Sequence, residues 1–123
     1  MLLEADEAFL KEKGYAYAVS RENAAVHLVI SAFPFPAAYT PRSADLLIRL
    51  PVGYPAGNPD MFWTRPDVCL ASGAMPTAAS AKETYLGVLW QRWSRHWSAG
   101  WRPGVDGLHT FVASIIRELE RGI

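Results

Sequence analysis

Apolar residues recur at helical spacing near both ends of the chain. Over residues 2–13 they lie three to four positions apart, and Gly14 follows where a helix commonly ends. From residue 105 onward the same spacing connects Leu108, Phe111, Val112, Ile115, Ile116 and Leu119. Gly122 then stands where a C-terminal glycine belongs. The pattern predicts one helix at the start of the chain and another at its end.

Short apolar stretches between these helices have the length and composition of strands. They cover residues 15–19, 25–33, 44–50 and 61–63. The passage 51–59, rich in proline and glycine, predicts a rigid turn, and residues 66–82 predict a long loop. The predicted fold is a single α+β domain over residues 1–123. It has an N-terminal helix, a four-strand antiparallel meander, an irregular crossover and a C-terminal helix.

Three tryptophans in the second half of the chain are three and four positions apart. On a helix, Trp90, Trp93 and Trp97 would share one face, and core packing is the usual role of such a stripe. The functional alternative is an anchor for a protein partner, since tryptophan and arginine dominate binding energy at interfaces. Arg92 and Arg95 would then flank that surface, or they would form an ordinary solvated face.

Charge and composition exclude several classes of function. Lys+Arg and Asp+Glu are balanced at 12 each, so the chain lacks the basic stripe that nucleic acids or anionic membranes require. Near-neutral charge is also compatible with self-association, and a scaffold subunit whose tryptophans hold a homodimer together is one alternative. No His or Cys pair has metal-ligand spacing and no glycine-rich phosphate loop is present. We therefore expect neither a metal nor a cofactor.

The single cysteine, Cys69, excludes an intrachain disulfide. No apolar stretch approaches the length of a bilayer span, and no signal-peptide pattern is present. We therefore expect a cytoplasmic protein without a membrane partner.

The order of several short motifs resembles the ubiquitin-conjugating (UBC) fold. Leu-Pro at residues 50–51 and Tyr-Pro through Pro at residues 54–59 look like that family's Phe-Pro, Tyr-Pro, Pro-Pro passage. Arg-Pro-Asp-Val at 65–68 falls where the family has His-Pro-Asn-Val, and Trp-Arg-Pro at 101–103 looks like its Trp-Ser-Pro. The resemblance implies a UBC-like fold in which the last motif leads into the final helix.

Three longer runs are more similar to the bacterial UBC-like proteins called prokaryotic family E. These are PDMFW at residues 59–63, WQRWSRHW at 90–97 and WRPGVD at 101–106. Members of that group accompany ubiquitin-like proteins, an activating enzyme and a metalloprotease-type deconjugase. The resemblance therefore implies these three kinds of partner in a bacterial modification pathway.

The resemblance leaves the position of the family's thioester-forming cysteine open between two alignments. One alignment keeps the crossover short and matches residues 87–90 to the family segment that leads to Trp-Ser-Pro. Trp90 then stands near the position of the expected nucleophile. The other places Cys69 on the family's cysteine and treats residues 73–100 as an insertion. We prefer the first, and it predicts a non-catalytic protein that binds the ubiquitin-like protein or its activating enzyme. The alternative is an active carrier with a thioester at Cys69.

Three residues are candidates for catalysis under the carrier hypothesis. Cys69 would be the nucleophile, although a small buried structural residue is the commoner role of a free cysteine. His96 would be a nearby base, or it would donate a structural hydrogen bond. Asp67 would shape the site in place of the family's asparagine, but an ionised carboxylate cannot donate a hydrogen bond to an oxyanion. We interpret Asp60 and Asp106 as a turn residue and a helix cap.

Overall fold

Residues 2–98 and 100–123, which the computed structural model describes, form two helices and eight strands. In chain order the elements are α1 (Glu4–Glu12), β1 (Tyr17–Glu22), β2 (Ala25–Pro34), β3 (Tyr39–Thr40), β4 (Ser43–Leu50), β5 (Phe62–Arg65), β6 (Cys69–Leu70), β7 (Ala81–Tyr85), β8 (Val88–Trp93) and α2 (Leu108–Glu120). Six strands make one antiparallel sheet in the order β1-β2-β4-β5-β8-β7, and β3 pairs with β6 in a small second sheet.

The sequence prediction of an α+β, UBC-like fold is confirmed. The meander β1-β2-β4-β5 corresponds to the four predicted strands, and the two helices lie near the ends of the chain as expected. Gly14 follows the first helix with a φ of +73°, a left-handed conformation that costs glycine little.

The prediction of an irregular crossover is wrong in one respect, because residues 81–93 form a β-hairpin. Strands β7 and β8 pair with each other, and β8 also pairs with β5, so the hairpin widens the sheet by two strands. Leu86 and Gly87 form its two-residue turn and both have positive φ, at 55° and 78°, as a type I′ turn requires. Trp90 and Trp93 therefore lie on a strand, where residues three apart point to opposite faces.

The main hydrophobic core fills one face of the sheet and holds both helices. Alternate residues of β2 and β4, such as Leu28 and Ile48, pack there against Leu10 of α1 and Val112 of α2. Trp93 is fully buried in this core, where its ring stacks on that of Phe62 with a centroid distance of 5.3 Å. Burial of a large aromatic side chain contributes several kcal/mol to folding, on the order of 3–5 kcal/mol by truncation to alanine.

The opposite face of the sheet holds a second, smaller core around Trp63 and Trp90. Both rings are buried and pack with Leu47, so this face is closed without a helix. The hairpin turn reaches back toward β1, since the Leu86 N–H donates to the Glu22 carboxylate at 3.2 Å. The hairpin is therefore fixed to the far edge of the sheet as well as to its neighbouring strand.

Tyr54, in the proline-rich turn before β5, connects the two helices. Its hydroxyl donates to the Asp6 carboxylate of α1 at 2.9 Å and accepts the Leu108 N–H at the start of α2 at 2.9 Å. Burial raises the pKa of Asp6, and burial together with the Asp6 charge raises the pKa of Tyr54. These hydrogen bonds fix the position at which the segment 101–107 enters α2.

No helix within the described residues has the length and apolar composition needed to cross a membrane.

Candidate functional site

Cys69 lies on β6, just after the loop that leaves the fourth meander strand. Its backbone is opposite Thr40 of β3, and its side chain is half-buried. It is a free cysteine and follows the Arg-Pro-Asp-Val segment 65–68 directly. The fold therefore holds the thiol at the end of a supported loop near the protein surface.

Gln91 of β8 holds this loop from inside the protein. Its side-chain carbonyl accepts the Val68 N–H at 2.7 Å, and its amide nitrogen donates to the Val68 carbonyl at 2.8 Å. The same nitrogen donates to the Ala79 carbonyl at 3.1 Å. Gln91 is only 1 % exposed, so these groups have no access to bulk water. The residue immediately before Cys69 is thus fixed on both of its main-chain polar groups.

A second buried layer fixes Gln91 itself. The Thr64 hydroxyl donates to the Gln91 carbonyl oxygen at 3.0 Å and accepts the indole N–H of Trp93 at 2.9 Å. We call Gln91, Thr64, Trp93, Val68 and Ala79 the Gln91 network. Because each buried polar group left without a partner costs about 1–3 kcal/mol, the network favours one position of the loop strongly.

Asp67 lies on the surface beside this network. Its carboxylate forms a short ion pair with the Lys82 ammonium of β7, and its side chain is 63 % exposed. The carboxylate accepts a hydrogen bond and offers none, so it does not supply the donor that the family's asparagine provides. Asp67 is two residues from Cys69 but is oriented by β7.

His96 lies at the other end of β5 from Cys69. Its Nδ1 is 2.8 Å from the Asp60 carboxylate, which also accepts the Trp97 main-chain N–H at 3.2 Å. The His96 side chain is 61 % exposed. Asp60 precedes β5 and Cys69 follows it, and a four-residue strand spans about 13 Å at the usual rise. His96 and Cys69 therefore belong to two separate places in the fold, which the carrier hypothesis did not anticipate.

The five residues predicted to bind a partner are scattered rather than gathered on one surface. Trp93 and Trp90 are 0 % and 4 % exposed and belong to the two cores on opposite faces of the sheet. Trp97 is half-buried and packs against Trp101, with a ring-centroid distance of 5.2 Å. The prediction of one shared helical face is wrong because alternation along β8 separates the first two rings.

The two arginines predicted to flank that surface already have partners within the chain. The Arg95 side chain is 6 % exposed, lies over the Trp93 ring at 4.9 Å and donates to the main-chain carbonyl of Thr77 at 3.1 Å. Arg92 is 33 % exposed and donates to Glu83 at 3.2 Å. Arg95 therefore acts as a buried structural cation, whereas Arg92 keeps part of its surface open to solvent.

Asp106 does not cap the last helix as the sequence predicted. Its carboxylate accepts the Arg102 main-chain N–H at 2.9 Å and pairs with the Arg102 guanidinium, which closes the loop before α2. The hydrogen bonds from Arg102 lower the pKa of Asp106 and raise that of Arg102. Gly107 is the residue at the N-cap position. Asp60 follows the turn that ends before it, and its carboxylate is the partner of His96.

Sequence reasoning missed Gln91 and Thr64, which organise the loop before Cys69. Both are buried polar residues on strands, and a single sequence offers no signal that separates them from exposed ones. That these two side chains lie side by side follows only from the register of β5 and β8, in which Thr64 is opposite Gln91. Within residues 2–98 and 100–123, no group of three or more His, Cys, Asp or Glu side chains is placed to hold a metal ion.

Comparison with known proteins connects this geometry to a family. The model of the family described as "Prokaryotic E2 family E" matches residues 2–122, nearly the whole chain. No match was found among the curated proteins or the solved structures. An E2-like family has a role in ubiquitin-like conjugation, with ubiquitin-like proteins and activating enzymes as partners. The chain therefore belongs to prokaryotic E2 family E.

Proposed function

We propose that this chain carries a ubiquitin-like protein as a thioester on Cys69. The observation that carries the proposal is the position of Cys69 at the end of a loop that Gln91 fixes through Val68. This loop follows the fourth strand of the meander, and the second alignment places the family's thioester-forming cysteine at Cys69. A half-buried thiol in a fixed loop is both held in place and open to a reaction partner.

The position of residues 87–90 also supports this choice between the two alignments. Gly87 belongs to the hairpin turn and Trp90 is buried in the second core. The first alignment places these residues in a short crossover that leads to the Trp-Arg-Pro segment at residues 101–103. A hairpin added at the edge of the sheet fits the second alignment, in which residues 73–100 are an insertion. The proposal therefore replaces the non-catalytic binder as the first hypothesis.

The proposed reaction is a transfer between two thioesters. The Cys69 thiolate attacks the carbonyl carbon that joins the ubiquitin-like protein to the thiol of its activating enzyme. A new carbon–sulfur bond forms as the old one breaks, and the activating enzyme's thiolate leaves with the bonding electron pair. No oxidant, reductant or metal enters this balance. The Gln91 network contributes by keeping the attacking sulfur in one place.

The non-catalytic binder remains the second candidate, and Asp67 is the observation in its favour. An anionic side chain two residues from the thiol in the chain disfavours a developing oxyanion, and its pairing with Lys82 only partly offsets that charge. On this alternative the chain binds the ubiquitin-like protein or activating enzyme without accepting it. A metalloprotease-type deconjugase is a further partner that we propose from the family resemblance.

The experiment combines this chain with the activating enzyme, the ubiquitin-like protein and ATP, followed by a non-reducing gel. We expect an adduct that dithiothreitol cleaves. Cys69→Ser should give either no adduct or an oxyester that resists dithiothreitol and is cleaved by hydroxide. Lys82→Arg is the matched control. Arginine keeps the positive charge that pairs with Asp67, and it removes the primary amine of Lys82 as an attachment point near the loop.

Two results separate the candidates. A reductant-sensitive adduct that persists in Cys69→Ser would contradict the carrier proposal. No adduct with wild type, when the activating enzyme is charged and still binds the chain, would favour the non-catalytic binder.

A further inference from the structure

A cavity of about 220 Å³ lies between the segment 95–98 and helix α2, away from Cys69. Part of its wall is apolar and consists of Phe62, Trp97, Phe111 and Ile115. The remaining wall is charged. The cavity therefore combines an aromatic surface with ionic groups, a combination that binds an anion attached to an apolar group.

Positive charge is in excess around the cavity. Arg95, Arg117 and Arg121 line it together with one acidic residue, Glu118. Glu118 is shared, since its carboxylate is 2.8 Å from Arg121 and 3.7 Å from Arg95. The whole chain has a formal net charge of zero, so this local excess is a feature of the site rather than of the composition.

Arg95 contributes its guanidinium to the cavity wall. Its side chain is 6 % exposed, and its Nη1 forms no hydrogen bond among the described residues, since the Glu118 carboxylate is 3.7 Å from it. The rest of its guanidinium is held by the main-chain carbonyls of Thr77 and Ile123. A buried guanidinium N–H without an acceptor is costly, so an anion that reached it would gain a strong charge-assisted hydrogen bond.

We propose that this cavity binds a carboxylate of an acidic segment of a partner protein, with a neighbouring apolar side chain against Trp97 and Phe111. The carboxylate accepts from Arg95 and lies in the field of Arg117 and Arg121. A polypeptide is the chosen source because it joins a carboxylate to a neighbouring apolar side chain, which matches the arginines and the aromatic wall of the cavity. The inference does not depend on the thioester at Cys69.

The test measures binding of a short peptide by two-dimensional ¹H–¹⁵N NMR. The probe is acetyl-Gly-Phe-Glu-Phe-Gly-amide, and the matched neutral probe replaces Glu with Gln. We expect the Glu peptide to shift the signals of Trp97 and of neighbouring residues of α2. Binding should weaken as sodium chloride is raised, because salt screens the arginine charges.

Two arginine variants examine the charge directly. Arg117 and Arg121 are exposed, so replacing either with glutamine leaves the cores intact. We expect each variant to weaken binding of the Glu peptide by about two- to fivefold, as for an exposed ion pair. Arg21→Gln, which removes the same charge from β1 outside the cavity, should bind like wild type. Arg95→Lys should weaken binding more, with a denaturation curve to check its folding.

Several outcomes would overturn the proposal. One is the absence of shifts around the cavity at millimolar peptide, and another is equal binding of the Glu and Gln peptides. Inorganic phosphate is a third probe, and tighter binding of phosphate than of the Glu peptide would contradict a carboxylate site. Each of these results is independent of whether Cys69→Ser abolishes the adduct, so the two proposals can fail separately.

Discussion

The two ends of β5 hold the two most reactive candidate side chains in opposite ways. At one end, Cys69 follows a loop fixed by the buried amide of Gln91. At the other end, His96 is held by Asp60 in a hydrogen bond that is open to solvent. The first arrangement uses buried hydrogen bonds, which are costly to break, and the second uses an exposed pair, which contributes little to stability.

The comparison teaches that proximity in the sequence motif and proximity in the fold are different things. His96 belongs to one of the three runs that resemble family E, yet it is fixed away from the thiol by the whole length of β5. Gln91 belongs to the same run and contacts the residue next to Cys69. The histidine, which suggested catalysis, lies far from Cys69. The glutamine, which suggested no function, contacts the residue immediately before Cys69.

The largest predicted effect comes from removing the amide of Gln91. Gln91→Leu keeps much of the side-chain volume but leaves the N–H and C=O of Val68 and the C=O of Ala79 unsatisfied. We expect the free energy of unfolding to fall by about 3 kcal/mol or more. Chemical denaturation measures this change. Alkylation of Cys69 by iodoacetamide in native buffer should also become faster, because the loop loses its fixed position.

Thr84→Val is the control for the Gln91 variant. Thr84 is exposed on the adjacent strand β7, so this substitution should change the unfolding free energy by less than about 0.5 kcal/mol. If Gln91→Leu is no less stable than Thr84→Val, the buried network does not hold the loop.

The next effect extends the comparison to two histidines, buried His27 and exposed His96. Burial, and next the Arg49 charge, lower the pKa of His27, with Glu22 opposing them. Below the ordinary histidine pKa of about 6.5, the His27 imidazole binds a proton more readily in the unfolded chain than in the folded chain. Stability is therefore full above that pH and falls as the pH decreases below it, by at most about 1.4 kcal/mol per pH unit. Denaturation at pH 7, 6 and 5 measures the slope.

His27→Gln should reduce that slope, because glutamine does not titrate. His96→Gln leaves the buried His27 in place and is the exposed comparison. Asp6, whose pKa burial raises, has an effect of the opposite sign, because its carboxyl holds a proton more tightly in the folded chain than in the unfolded chain. The difference between wild type and His27→Gln removes the Asp6 contribution. Equal slopes in these two proteins would refute the role assigned to His27.

The smallest predicted effect concerns the exposed end of β5. Asp60→Asn removes the charge that pairs with His96 and should change the free energy of unfolding by less than about 1 kcal/mol. Thermal unfolding measures it, with Asp45→Asn on β4 as a comparison. A loss of more than about 2 kcal/mol would mean that this pair is structural after all.

The helices and four strands could be predicted because each leaves a simple periodic pattern. Alternation in β2 and β4 separates core residues such as Leu28 from residues on the other face. The hairpin β7–β8 could not be predicted in the same way, because β8 is buried on both faces and its tryptophans have helical spacing by coincidence. The Leu-Gly turn between these strands also lacks the Asn-Gly or Asp-Gly signal that marks many hairpins.

The sequence named Cys69, Asp67 and His96 as candidates for catalysis, but it gave neither their arrangement in space nor the roles of Gln91 and Thr64. Cys69 and Asp67 are adjacent because they are neighbours in the chain, and the sequence already required that. The separation of His96 and the burial of Trp90 and Arg95 depend on strand register, which no local pattern specifies.

The most direct test of the account is the charging rate of Cys69 in a single turnover. Activating enzyme that carries the ubiquitin-like protein is mixed with wild type, Cys69→Ala or His96→Gln, and intact masses are followed over time. We predict that wild type and His96→Gln gain the mass of the ubiquitin-like protein less one water at rates within about twofold, and that Cys69→Ala gains none. Charging that survives in Cys69→Ala, or that disappears in His96→Gln, would contradict the account.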